Sequence, residues 1–234
     1  MDAPTPPPTA SVLEIRDLRF ARPDGFTLAI PRFDLAAGEQ CLLAGPSGCG
    51  KSTLLLLAAG LLDPSSGSIR IGGDEIATAR GARRDAIRAS RIGMVFQTHH
   101  LLSGFTAREN VAAALHFAGI PAREHRDRAG DLLTSLDIAR PDARVDRLSV
   151  GQQQRVAIAR ALAADPDLVL ADEPTASLDP DNAAVAIELL QNACGRRGAA
   201  LLVTSHDPSL TTRFQRTERF ADLVDTTPGS EVAA

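Results

Sequence analysis

Gly45-Pro46-Ser47-Gly48-Cys49-Gly50-Lys51-Ser52-Thr53 joins an apolar run, Gln40 to Ala44, to a leucine-rich stretch, Lys51 to Ala59. A G-x-x-x-x-G-K-S spacing between a strand and a helix is the pattern of a phosphate-binding loop. Its glycines permit a tight turn that aims successive N–H groups at an anion, and the helix beyond adds roughly half a positive charge at its N-terminus. Lys51 is placed to reach β- and γ-phosphates, and the Ser52 hydroxyl to reach Mg²⁺. Lys51 is also the only lysine among 25 basic residues. A guanidinium is a planar fork, whereas a compact ammonium with three rotatable donors fits among phosphate oxygens, so position 51 is chemically constrained.

On either side of this loop the chain alternates between strand and helix patterns. Upstream, Val12 to Phe20 alternates around Leu13, Ile15, Leu18 and Phe20, and with Phe26 to Ile30 it reads as an antiparallel strand pair. Downstream, Asp63-Pro64-Ser65-Ser66-Gly67-Ser68 stops the helix, and Ile69 and Ile71 mark a short strand ending at Gly72-Gly73. Arg83 to Ser90 reads as a polar helix and Ile92 to Phe96 as an apolar strand ending at Gln97. Thr106 to Asp137 is helical with a break at Gly119-Ile120-Pro121, and is the candidate helical insertion. A helix over Ser149–Ala163, a strand over Leu168–Ala171, a helix over Asp181–Cys194 and a strand over Ala199–Thr204 complete the pattern. Such alternation argues for an α/β fold, a mostly parallel sheet with helices on both faces and ligands outside the strands' carboxyl ends. Lys51, Gln97, Asp172, Glu173 and His206 all follow strands.

At 234 residues, 44% hydrophobic and 23% charged, the chain can bury the core of one domain with a smaller helical part. A net charge of −4 and a pI near 5.7 supply no general field for nucleic acid, and no nucleic-acid partner is expected. Cys41, Cys49 and Cys194 lack metal-ligand spacing and read as free thiols in a reducing compartment. Met1 to Ala10 carries four prolines and no basic start, which reads as a disordered tail and not a signal peptide; Thr226 to Ala234 reads as a second tail. The most apolar run, Thr53 to Leu62, is about half the roughly 20 residues that span a bilayer.

An apolar strand that runs into two acids beside a phosphate-binding loop divides labour between them. Asp172 is expected to hold the Mg²⁺ and Glu173 to face the water that attacks the γ-phosphate. Leu148-Ser149-Val150-Gly151-Gln152 opens a second helix, and a capping box explains Ser149 and Gln152. It does not explain Gly151 in the first turn, where glycine costs up to about 1 kcal/mol; an anion approaching the backbone would.

Taken together, these motifs resemble, in order, those of the ATP-binding cassette nucleotide-binding subunits, over Val12 to about Asp225. Gly45 to Thr53 matches Walker A (Gly45, Pro46, Ser47, Gly48, Cys49, Gly50, Lys51, Ser52 and Thr53), Gln97 the Q-loop glutamine, and Leu148 to Gln152 the signature. Leu168 to Glu173 matches Walker B, Ser177-Leu178-Asp179 the D-loop, and His206 the switch histidine. The resemblance implies a P-loop NTPase fold with an antiparallel N-terminal β subdomain, and a cassette over 11–225 whose helical subdomain covers about 98–163. It implies ATP and Mg²⁺ as ligands, catalytic roles for Glu173, His206, Gln97 and Asp179, and Ser52, Gln97 and Asp172 around the metal. It also implies a head-to-tail homodimer in which each signature, Ser149, Val150, Gly151 and Gln152, caps ATP held by the partner. The chain would then be the cytoplasmic ATPase subunit of a transporter, bound to the inner face of the membrane through a separate permease. Valine at 150, where the family usually has glycine, leaves Ser149 and Gly151 as the γ-phosphate contacts. The aromatic that usually stacks on adenine falls near Arg22, with Phe20 and Phe26 as rivals. Phe96-Gln97 to Gly119, with Leu101-Leu102 and Glu109-Asn110-Val111, resembles the lipoprotein-releasing and macrolide-exporter type, a stretch that amino-acid importers largely share. The competing class is a soluble cassette protein acting on chromosomes, repair or translation, whose long coiled coils or second cassette this chain lacks.

Overall fold

The alternation of Leu13, Ile15, Leu18 and Phe20 becomes β1 (Ser11–Ala21) in the computed structural model, which describes residues 11–225 except Ser177 and Asp179. The two expected tails therefore lie outside the described residues. β1 pairs antiparallel with β2 (Thr27–Ala36), setting Leu18 opposite Ile30 and Ile15 opposite Phe33. The strand expected over Phe26–Ile30 thus runs on to Ala36, past Pro31. β2 is an edge strand, where proline's missing N–H breaks no ladder.

β3 (Gln40–Ala44) leads through the loop into α1 (Lys51–Ala58). Gly50, the residue before that helix, has φ +113°, a conformation open to glycine and strained for other residues. A Cβ there would also lie 2.9 Å from Phe26 Cζ. β4 (Ser66–Ile71) and β5 (Asp74–Glu75) complete an antiparallel sheet of order β2-β1-β4-β5. Then come α2 (Gly81–Arg91), β6 (Ile92–Val95), α3 (Ala107–Phe117) and α4 (Ala122–Ser135). Thr106 and Glu109 close a capping box that starts α3, and Gly119 at φ +74° followed by Pro121 turns the chain into α4. α5 (Val150–Leu162), β7 (Leu168–Asp172), α6 (Pro180–Gly195), β8 (Ala200–Ser205), β9 (Arg216–Arg219) and α7 (Phe220–Leu223) follow.

The second sheet is parallel throughout, in the order β6-β7-β8-β3-β9. Its central strands are apolar without alternation because both faces are buried. Leu42, Val169, Ala171, Leu201 and Val203 face a core shared with α3, α4, α5 and α6. Their neighbours Cys41, Leu43, Leu168, Leu170, Ala200 and Leu202 face the other core, shared with α1, Ile87 of α2 and the antiparallel sheet. Helices cover both faces, as the strand and helix order requires, and one face carries the antiparallel sheet as well. Among the described residues no helix is long and apolar enough to cross a membrane.

Candidate active site

Strand register brings the separated motifs to one edge. Ala44 of β3 lies level with Ser205 of β8, Asp172 of β7 with Thr204 of β8, and Val95 of β6 with Ala171 of β7. The loop after β3, the acids after β7, His206 after β8 and Gln97 after β6 therefore share the carboxyl end of the sheet. Gln97 is exposed there, two residues past the end of β6 at Val95.

Lys51 is buried at 4% exposure, and its Nζ donates to the carbonyls of Gly45 at 2.8 Å and Pro46 at 2.9 Å. The same Nζ lies 3.3 Å from Glu173 Oε1, while His206 Nδ1 lies 2.7 Å from Glu173 Oε2. Glu173 is thus a buried carboxylate held at both oxygens, one by a cation and one by an imidazole. Its backbone has φ +45°, a strain of about 1 to 3 kcal/mol for a residue with a side chain. Its N–H donates to both the carbonyl and the hydroxyl of Thr204, each at 3.2 Å, which holds it there.

Ser52 Oγ donates to Asp172 Oδ1 at 2.9 Å, and the buried Thr204 hydroxyl donates to the same oxygen at 2.8 Å. A serine hydroxyl and a carboxylate side by side, at the sheet end that also carries Gln97, are oxygen donors of the hard kind that suits Mg²⁺. Beside them a buried ammonium and a glycine turn open to anions complete a fit for the phosphates of a nucleotide. Gly48, at φ +78°, has nothing within 4 Å of the place a Cβ would take, so the turn is open on its outer side.

Arg22 reaches the loop as well, its Nη2 donating to Thr53 Oγ1 at 3.2 Å. Its guanidinium carbon also lies 4.9 Å from the centre of the Phe26 ring. Phe20 is buried in the core of the antiparallel sheet and cannot serve as the rival base platform.

Ser149 caps α5 in the expected capping box, accepting from Gln152 N–H at 3.3 Å while Gln152 Oε1 accepts from Ser149 N–H at 3.1 Å. No bond joins Ser149, Val150, Gly151 or Gln152 to Lys51, Ser52 or Asp172 among the described residues. The place a Cβ would take at Gly151 is empty to 4 Å, so nothing inside the chain demands glycine there. Val150 is half exposed. Leu178 and Asn182 border the same end of α5 in a cavity of about 260 Å³, and Ser177 and Asp179 of the expected D-loop lie outside the described residues.

Sequence reasoning missed Thr204, which orients both acids. Its signal was faint: a hydroxyl at the end of an otherwise apolar strand, level in register with Asp172. It also missed that Arg22 and Phe26 form one stacked unit, because the two flank a turn whose closure spacing alone does not specify.

The chain is similar to known proteins over most of its length. A family model described as ABC transporter matches residues 28–176. The lipoprotein-releasing system ATP-binding protein LolD of Maricaulis maris is 46% identical over 190 residues, 80% of this chain and 82% of that protein. LolD of Geobacter metallireducens is 40% identical over 218 residues, 91% of this chain and 97% of that protein. Among solved structures, the ATP-binding cassette MJ0796, a dimer in a post-hydrolysis state bound to ADP and Pi, matches with a TM-score of 0.77 at 31% identity, covering 88% of this chain and 92% of that one.

Proposed function

The chain belongs to the ABC transporter family of ATP-binding proteins, and from that premise we propose that it binds Mg·ATP, closes head to tail on a second copy and drives a separate transmembrane subunit. The observation that carries this reading is Glu173, suspended between Lys51 and His206 at the strand edge that also holds Ser52 and Asp172. Lys51 meets the β- and γ-phosphate charge, and its buried position makes that attraction stronger than it would be in water. Once the phosphate takes Lys51, Glu173 Oε1 is free to accept a proton from the attacking water, a general-base contribution of about 10²- to 10⁴-fold. His206 keeps the other carboxylate oxygen in place, so the base stays oriented while it takes up the proton. Ser52, Asp172 and Gln97 are the residues that would hold Mg²⁺, which when bound neutralises charge on the β- and γ-phosphate oxygens. The open flank of Gly151 supports a nucleotide on the partner subunit, which Ser149 and the first-turn N–H groups of α5 would meet.

The partner in the membrane follows from the relatives, which are ATP-binding proteins of lipoprotein-releasing systems. We assign this chain to the same type, at the cytoplasmic face beneath its permease. Two measurements test the assignment. Light scattering with ATP should report a dimer of the Glu173→Gln variant, and the tagged chain expressed with its permease should copurify with it and hydrolyse ATP faster. A chain that stays monomeric with ATP and copurifies with soluble proteins alone refutes the transporter reading.

A further inference from the structure

Arg160 lies in the last turn of α5 and is half-buried, yet no carboxylate lies within 4 Å of its guanidinium among the described residues. Burial pushes its pKa down from the usual arginine range. Its partners are two backbone carbonyls of the loop after β6: Nη2 donates to His99 O at 2.7 Å and Nη1 to His100 O at 2.5 Å. Desolvating a guanidinium for two carbonyls is costly, and the helix C-terminus offsets only a part.

The loop it grips is itself strained. His99 and His100 have φ +57° and +46°, two consecutive left-handed residues that each carry a side chain. Side chains fasten this stretch by packing more than by hydrogen bonds: the His100 ring stacks on Phe96 with centroids 4.7 Å apart. The His99 ring faces Gln154 of α5, but His99 Nε2 and both Gln154 amide atoms are buried without a hydrogen bond of good geometry. Beyond the histidines the loop is tied to α3, where Asn110 Oδ1 accepts from Leu102 N–H at 2.7 Å and Asn110 Nδ2 donates to the Leu102 and Thr106 carbonyls. Gln97 sits two residues before the gripped pair.

We propose that Arg160 is a positioning residue that clamps the Gln97 loop to the signature helix, so that Gln97 and the Ser149–Gly151 end of α5 move as one body. A shift of α5 toward a nucleotide on the partner subunit is then transmitted to Gln97 through the guanidinium, and not through the unpaired His99–Gln154 contact. The inference rests on the reading of Gln97 as a residue that serves turnover, and it adds what holds that residue in place.

The test combines hydrogen-exchange mass spectrometry with kinetics on Arg160→Gln, Arg160→Lys and Gln97→Ala. Arg160→Gln should raise amide exchange over 97–102 about tenfold and leave the central strands near wild type. It should lower kcat about tenfold with KM for ATP within about twofold, since the phosphate loop is untouched. Arg160→Lys, whose ammonium keeps the charge and a carbonyl partner, should fall between and covers the case in which Arg160→Gln fails to fold. In the Gln97→Ala background, Arg160→Gln should reduce kcat no further. Wild-type exchange over 97–102, or exchange that rises equally throughout α5 and the sheet, overturns the clamp. Effects on kcat that multiply in the double variant overturn transmission through Gln97. Wild-type turnover in Gln97→Ala overturns the underlying reading of that residue, which the single variant isolates from the clamp.

Discussion

Replacing Glu173 with glutamine should both stop turnover and tighten ATP binding, and the second effect follows from the ion pair with Lys51. The two charges are 3.3 Å apart and both side chains are nearly buried. Coulomb's law at an effective dielectric of about 20 gives a gross attraction of about 5 kcal/mol at that separation. Desolvation offsets most of it, leaving about 1 to 2 kcal/mol that an incoming γ-phosphate must overcome to take Lys51. Glutamine keeps the shape and a carbonyl acceptor but removes the charge, so ATP should bind about 5- to 30-fold more tightly. Turnover should fall about 10²- to 10⁴-fold, because an amide accepts no proton from the attacking water. Isothermal calorimetry with ATP reads the first effect and phosphate release the second. Unchanged or weaker ATP affinity would show that the Lys51–Glu173 pair does not compete with phosphate, and turnover within tenfold of wild type would remove Glu173 as the base.

Lys51→Arg should bind ATP nearly as weakly as Lys51→Ala, because Nζ is enclosed by two carbonyls and a carboxylate with no room for a fork; calorimetry showing wild-type affinity would refute this. Fluorescent maleimide should label Cys49 and spare Cys41 and Cys194, whose burial pushes their thiols up to about 12, and ATP should protect Cys49; peptide mapping that finds Cys41 or Cys194 labelled first contradicts it. Burial alone would raise the Asp34 carboxyl, but hydrogen bonds from Arg32 and Arg16 outweigh it and hold it below the ordinary 3.8. The stability this adds is present above about pH 4 and lost as pH falls through the depressed value. Melting curves should therefore show Asp34→Asn less stable than wild type at pH 7, with the gap closing in acid; a gap that stays constant with pH rules out the charge pairing. Arg22→Ala and Phe26→Ala should each weaken ATP binding a few-fold without adding when combined, since they form one stack; additive losses by calorimetry would separate them.

How much of the fold was legible depended on burial. β3, β7 and β8 are apolar on both faces, so their limits in the sequence nearly match those in the structure. β9, Arg216–Arg219, carries no apolar signal, since half of it faces solvent. It is held to β3 by ladder bonds and by Arg216, which donates to Glu39, Glu218 and the Asp34 carbonyl, partners up to 182 residues away. Such pairs leave no local pattern. Ser66-Gly67-Ser68 was read as part of a turn, yet it begins β4. A Cβ on Gly67 would lie 2.5 Å from Asp17 O, so glycine there serves a close strand approach, the other meaning an isolated glycine can have.

In the site, residues with chemistry of their own were legible and residues that act on them were not. Lys51, Asp172, Glu173 and His206 announce themselves as charged or titratable groups at the ends of apolar runs, and the structure bonds them into one network. Thr204 and Arg160 look ordinary in sequence, since each gains its meaning from a partner about 30 or 60 residues away. The question posed at position 22 shows why the distinction matters. Taken singly, Arg22 and Phe26 were alternatives for the adenine face, to be separated by deleting one or the other. In the structure the Phe26 ring carries the Arg22 guanidinium on one side and packs by its edge toward Gly50, while Arg22 reaches Thr53. The aromatic therefore lies beneath the arginine and bears on the phosphate loop, and the arginine is the half-exposed upper surface a base would meet. On the proposed function, the missing aromatic at position 22 would be replaced by a planar cation resting on the aromatic four residues later, the two serving as one platform.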